Sequence, residues 1–159
     1  LNLRSALRER RLDLAFLMGP VSEFTVENVR LPPFDLHWYR SAENETTDLS
    51  RIPVISYSKK TRPYRELMEK LSRLVGPSVR VYASASLSAS LRMIAAGIAV
   101  GLYPKALARE LFEAGRLIEF DPGFRPDPLE FTASYLAEPR SFLAERSARL
   151  AKEVADNWR

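Results

Sequence analysis

Cysteine is absent from the 159 residues, so disulfides and thiolate metal sites are both excluded. Histidine occurs once, at His37, which leaves only scattered carboxylates as possible metal ligands. The six glycines form neither G-x-G-x-x-G nor a phosphate-binding P-loop. No G-x-S-x-G elbow exposes a serine, and a Ser-His-Asp triad would have to draw on His37, which alternates with apolar residues and has no acid or nucleophile beside it in sequence. Apolar runs stay far below the roughly 20 residues needed to span a bilayer. The first residues do not read as a signal peptide. Charge of one sign is only mildly in excess, net +4 and spread along the chain, the pattern of a solvated surface rather than a nucleic-acid face. These absences lead to the expectation of a soluble, cytoplasmic protein without metal, cofactor or catalytic activity.

What the chain does contain is alternation of short apolar strands with amphipathic helices. Leu3, Ala6 and Leu7 mark a first helix, and the run Leu12 to Leu17 a strand ended by Met18, Gly19 and Pro20. Weaker strand patterns follow at 26–30 and 35–40, then an apolar strand at 53–56. Tyr64, Leu67, Met68, Leu71 and Leu74 form one helical stripe. Leu87, Leu91, Ile94 and Ile98 form another, stopped by Gly97 in the place of a left-handed cap. Residues 98–102 read as a strand covered on both faces, and Pro104 as the first position of a new helix. After strands at 117–120 and 129–136, a last helix carries Leu143, Leu150, Val154 and Trp158 on one stripe. This order predicts an α/β fold with mainly parallel sheets flanked by helices. It divides into a central lobe II, 36–122, and a lobe I built from both ends, 1–35 and 123–159.

Three strand-to-helix loops in the central block carry hydroxyls: Ser56-Tyr57-Ser58, Ser84-Ala85-Ser86 and Tyr103-Pro104. In a parallel sheet such loops share the carboxyl edge, where helix N-termini favour an anion. Each serine singly reads as a helix cap; the three loops together read as a binding edge. The basic run Lys59, Lys60, Arg62 reads as a solvated helix entry. Asp13, within an apolar run, reads as a strand-edge or lobe-packing residue.

In order along the chain, the segments LRERRLDLAFLMGP, DLSRIPVISYS, VRVYASASLSASLRMIAAGIAVGLYP and AGRLIEF resemble the effector-binding domain of LysR-type transcriptional regulators over essentially all 159 residues. The resemblance implies a two-lobed, periplasmic-binding-protein-like fold that takes a small, possibly anionic effector between lobes and modulates DNA binding. DNA would be bound only through a helix-turn-helix domain outside this chain, and the full-length protein would be a homo-oligomer. It also implies that the first strand and helix of lobe I lie outside this chain. Carried over position by position, the ligand-binding residues are Ser56, Tyr57, Ser84, Ser86 and Tyr103, with Met18 and Gly19 from the other lobe. No arginine near Met18 in sequence speaks for a multiply charged effector. Two rivals remain: a solute-binding protein of a transport system, and an enzyme using Ser84 or Ser86 as nucleophile.

Overall fold

The computed structural model describes residues 2–157. The chain forms two compact units, one from the chain up to Phe34 together with the chain from Pro128 onward, the other Asp35–Asp127. Among the described residues, no helix is long and apolar enough to cross a membrane.

The first unit holds helix α1 (Leu3–Arg8), strands β1 (Leu14–Met18) and β2 (Val26–Arg30), and, from the end of the chain, β8 (Phe131–Leu136) and α5 (Phe142–Asn157). Its three strands lie in the order β1-β8-β2, and both pairings are antiparallel. α1 is capped by the Asn2 side chain, which accepts from Ser5 N, and it buries Ala6 and Leu7. Leu7 joins Ala15, Leu17, Val21 and Val26 in the core of this unit.

The second unit holds β3 (Leu36–Ser41), β4 (Val54–Ser56), α2 (Arg62–Leu74), β5 (Val81–Ala83), α3 (Leu87–Ala95), β6 (Val100–Pro104), α4 (Lys105–Glu113) and β7 (Leu117–Phe120). Their sheet order is β5-β4-β6-β3-β7. Only β4 with β5 and β4 with β6 are parallel; β3 is antiparallel to both β6 and β7. The expectation of mainly parallel sheets therefore holds for the strand-helix-strand block alone. The reason is topological: β3 enters before the first crossover helix and runs against β6, while β8 returns from the second unit and runs against β1 and β2.

Burial explains the local geometry. α3 buries Ser90, Leu91, Ile94 and Ala95, and Gly97 closes it at φ 73°. Gly97 N donates to Ile94 O at 2.9 Å and Ile98 N to Met93 O at 3.1 Å, which satisfies carbonyls that the helix end would leave open. Ile98 itself is exposed and the strand begins at Val100. All five residues of β6 are buried, and Tyr103 packs with Tyr39, Ile55, Ile94 and Leu117. Pro104 is the residue that caps α4 rather than its first helical residue. α5 departs most from expectation. Ala144 and Ala148 are its buried residues, whereas Leu143, Leu150 and Val154 are exposed. Trp158, the fourth member of that stripe, lies outside the described residues.

Candidate functional site

Parallel pairing of β4, β5 and β6 brings the carboxyl ends of all three strands to one edge of the second unit. Ser56 ends β4, the Ser84 turn follows β5, and Tyr103 sits near the end of β6. Ser84 N donates to Ser56 O at 2.9 Å, which ties the first two loops together. The Tyr57 and Tyr103 rings stand 5.5 Å apart, centroid to centroid. The structure thus gathers five of the seven candidates.

Their hydroxyls are not equivalent. Ser86 caps α3, its Oγ accepting from Ala89 N at 3.3 Å. Ser84 Oγ accepts from Ser86 N and donates to Ser86 O, closing the turn. Tyr57 Oη donates to Leu102 O at 3.2 Å. Ser56 is different: it is 1% exposed, and its Oγ has no hydrogen-bond partner. Tyr103 is 0% exposed, and its Oη also lacks a well-formed hydrogen bond. Burial raises the phenol pKa of Tyr103, with the Ser90 hydroxyl pulling weakly the other way. That hydroxyl is itself committed to Ser86 O at 2.8 Å. Burial, then Tyr103, raises the phenol of Tyr57. Both phenols are therefore neutral donors at neutral pH. An unsatisfied buried polar group costs about 1–3 kcal/mol, so two on one edge ask for a partner.

The antiparallel strand β3 gives His37 a partner, Glu119, that sequence patterning passed over. His37 is the register partner of Tyr103. Its Nδ1 lies 3.2 Å from Glu119 Oε2 on β7, and Tyr39 Oη donates to the other oxygen at 3.4 Å. The acid absent beside His37 in sequence is supplied by a strand 82 positions on. The alternation of Glu119 between Ile118 and Phe120 is the only local sign that it faces His37.

Met18 and Gly19 belong to the first unit. Met18 pairs with Phe131 at the end of β1. Gly19, at φ 74°, donates from N to Glu130 O and accepts at O from Thr132 Oγ1 at 3.1 Å. With Pro20, Arg30, Glu130 and Thr132 it lines a cavity of about 210 Å³. Arg30, brought there by β2, therefore lines the same cavity as Gly19, with Glu130 also on its wall. Among the described residues, no group of three or more His, Asp or Glu side chains is placed to hold a metal. Asp13 is exposed immediately before β1.

The family profile described as the LysR substrate binding domain matches residues 2–156. Solved structures share the fold. The bromide-bound regulatory domain of HypT from Salmonella typhimurium is 21% identical with a TM-score of 0.77, over 96% of this chain and 78% of that one. The effector-binding domain of QuiR in complex with shikimate is 12% identical with a TM-score of 0.72, over 98% and 78%. Full-length LysG from Corynebacterium glutamicum, with arginine bound as effector, is 20% identical with a TM-score of 0.69, over 96% of this chain and 53% of LysG. This chain thus spans about half of that full-length regulator. Comparison with curated proteins gives no match. A solute-binding protein of a transport system is not what these findings support. The chain belongs to the LysR substrate-binding domain family and is an effector-binding domain of LysR-type transcriptional regulators.

Proposed function

We propose that the carboxyl edge of the second unit receives a small anionic metabolite, a carboxylate in the simplest case. The observation that carries this is the pair of buried, unpartnered hydroxyls, Ser56 Oγ and Tyr103 Oη. Tyr57, Ser84 and Ser86 belong to the same edge, and the N-termini of α3 and α4 add partial positive charge, with Lys105 the first residue of α4. Met18 and Gly19 form a separate contact set on the first unit. No step of bond making is needed: the Ser84 hydroxyl closes the turn and that of Ser86 caps α3, and among the described residues neither is hydrogen-bonded to a basic side chain. The domain works by binding, shifting the populations of two states of a DNA-binding regulator that acts in the cytoplasm, and this requires unequal affinity for those states.

Titration calorimetry of the protein against a panel of small carboxylates tests the reading. A ligand bound by the wild type should lose about tenfold in affinity in Ser56→Ala and in Tyr103→Phe, the equivalent of about 1.4 kcal/mol. Affinity unchanged in both variants, or no carboxylate bound at all, would remove it.

A further inference from the structure

In the first unit β8 is the strand paired on both sides, and it buries two hydroxyls, Thr132 at 2% and Ser134 at 0% exposure. Asn28 on β2 is the register partner of Ser134. Its amide is fixed in one orientation. Oδ1 accepts from Val21 N at 2.9 Å, and Nδ2 donates to Val21 O at 3.0 Å and to Val26 O at 3.3 Å. Exchanging the two ends of the amide would set donor against donor and acceptor against acceptor.

With Asn28 fixed, the hydrogens can be counted. Thr132 Oγ1 lies 3.1 Å from Gly19 O and 2.8 Å from Ser134 Oγ, and Ser134 Oγ lies 2.9 Å from Asn28 Oδ1. Gly19 O and Asn28 Oδ1, the two ends of this chain, can only accept. Three close oxygen contacts therefore share two hydroxyl hydrogens, one from each side chain. The Thr132 hydrogen is divided between Gly19 O and Ser134 Oγ, and the shorter contact competes for it. Gly19 O is the acceptor left short, and a buried acceptor in that position asks for a donor.

A donor has room to arrive. Gly19 and Thr132 both line the cavity of about 210 Å³, the volume of about seven waters of liquid at about 30 Å³ each. All its walls belong to the first unit. Arg30, the register partner of Thr132, and Glu130 bring one charge of each sign to it, yet among the described residues they form no ion pair with each other.

We propose that this cavity binds a small α-amino acid. The ammonium donates to Gly19 O, with the Glu130 carboxylate on the same wall balancing its charge. The carboxylate meets the Arg30 guanidinium, whose fork suits two oxygens. A carboxylate alone supplies no hydrogen to Gly19 O, and an amine alone leaves Arg30 unused. Ser134 touches no ligand; it is a positioning residue that draws the Thr132 hydrogen away from Gly19 O. The site goes beyond the carboxylate reading of the second unit and uses none of its residues.

Titration calorimetry with glycine, L-alanine and L-serine, and with propionate and ethylamine as the two halves of alanine, tests it. At least one amino acid should bind, about tenfold or more tighter than either half. Arg30→Gln should weaken that binding about tenfold. Ser134→Ala should do the same, because it returns the Thr132 hydrogen to Gly19 O. Its urea midpoint should stay near that of the wild type, since Thr132 gains at Gly19 O what it loses at position 134. Arg30 is exposed, so Arg30→Gln decides the matter even where Ser134→Ala unfolds the chain. No amino acid bound at about 10 mM, binding matched by either half, or affinity unchanged in either folded variant would each overturn the proposal.

Discussion

Gly101 shows how tightly single residues are specified around the carboxyl edge of the second unit. A Cβ there would stand 2.7 Å from Ile94 Cδ1, 2.9 Å from Tyr103 Cε2 and 3.0 Å from Ile55 O. The backbone oxygen cannot move away cheaply, and the two side chains are fully buried. Gly101→Ala should therefore destabilise the protein by about 1–3 kcal/mol in urea unfolding and displace the Tyr103 ring. The tyrosines supply a pH dependence. Burial raises the phenol pKa of Tyr39, Tyr57 and Tyr103, with Glu119 adding to the rise at Tyr39. A phenol that holds its proton in the folded state after the unfolded chain has lost it makes the folded state bind more protons. Stability is then fully present below about pH 10 and falls as pH climbs above it. The urea midpoint should drop as pH rises above about 10, and Tyr57→Phe should flatten that drop at the cost of about 1 kcal/mol at pH 7 for the lost bond to Leu102 O. At this scale the sequence was partly legible. Hydroxyl and phenol types in strand-to-helix loops pointed to the edge, but which hydroxyls would be spent on capping and which left buried depends on packing from residues far along the chain. Ser90 and Glu119 illustrate this: each acquires its role only once α3 or β7 is folded against its neighbours.

Helix and strand limits followed from periodicity where a cap and an apolar stripe coincide, and drifted where they do not. Ser56-Tyr57-Ser58 was read as the loop before a helix, with each serine singly a candidate cap. In the structure Thr61 is the cap of α2, accepting from Tyr64 N and donating to Ser58 O at 2.7 Å. Thr61→Ala should thus cost about 1 kcal/mol in urea unfolding, while Ser58→Ala should stay within about 0.5 kcal/mol. A larger loss at Ser58 than at Thr61 would show that the helix starts earlier in solution. α5 was misjudged in a more instructive way. Its leucines and valine share a stripe, and periodicity alone assigns such a stripe to the core. Against the described strands the helix seats its small residues, Ala144 and Ala148, and leaves Leu143, Leu150 and Val154 exposed. Amphipathicity gives the direction of a face but not what is available to cover it.

Connectivity makes the two units unequal as folding units. Asp35–Asp127 is one continuous stretch, with its own sheet and a core of Tyr39, Ile55, Leu91, Ile94, Tyr103 and Leu117. The first unit instead needs both ends of the chain, because β8 from the end lies between β1 and β2 from the start. Without β8, neither β1 nor β2 has a partner in its own stretch. The bridge between Phe34 and Leu129, with backbone hydrogen bonds of 2.9 Å in both directions, joins the two segments where they leave that unit. Strand-helix alternation made the parallel block of β4, β5 and β6 legible in sequence, whereas the antiparallel strands were not, since nothing local in β3 or β8 reports the direction of partner strands far along the chain. The asymmetry has a direct test. Residues 35–127 expressed alone should give a dispersed amide spectrum and one cooperative urea transition, and Ile94→Ala within that piece should lower its stability by about 2–5 kcal/mol. Removing residues 128–159 from the whole chain should abolish protection from hydrogen exchange in β1 and β2 while β4 and β6 keep theirs. If exchange in β4 and β6 rose to match, the molecule would fold as one cooperative body, and the continuous unit would owe its stability to the discontinuous one.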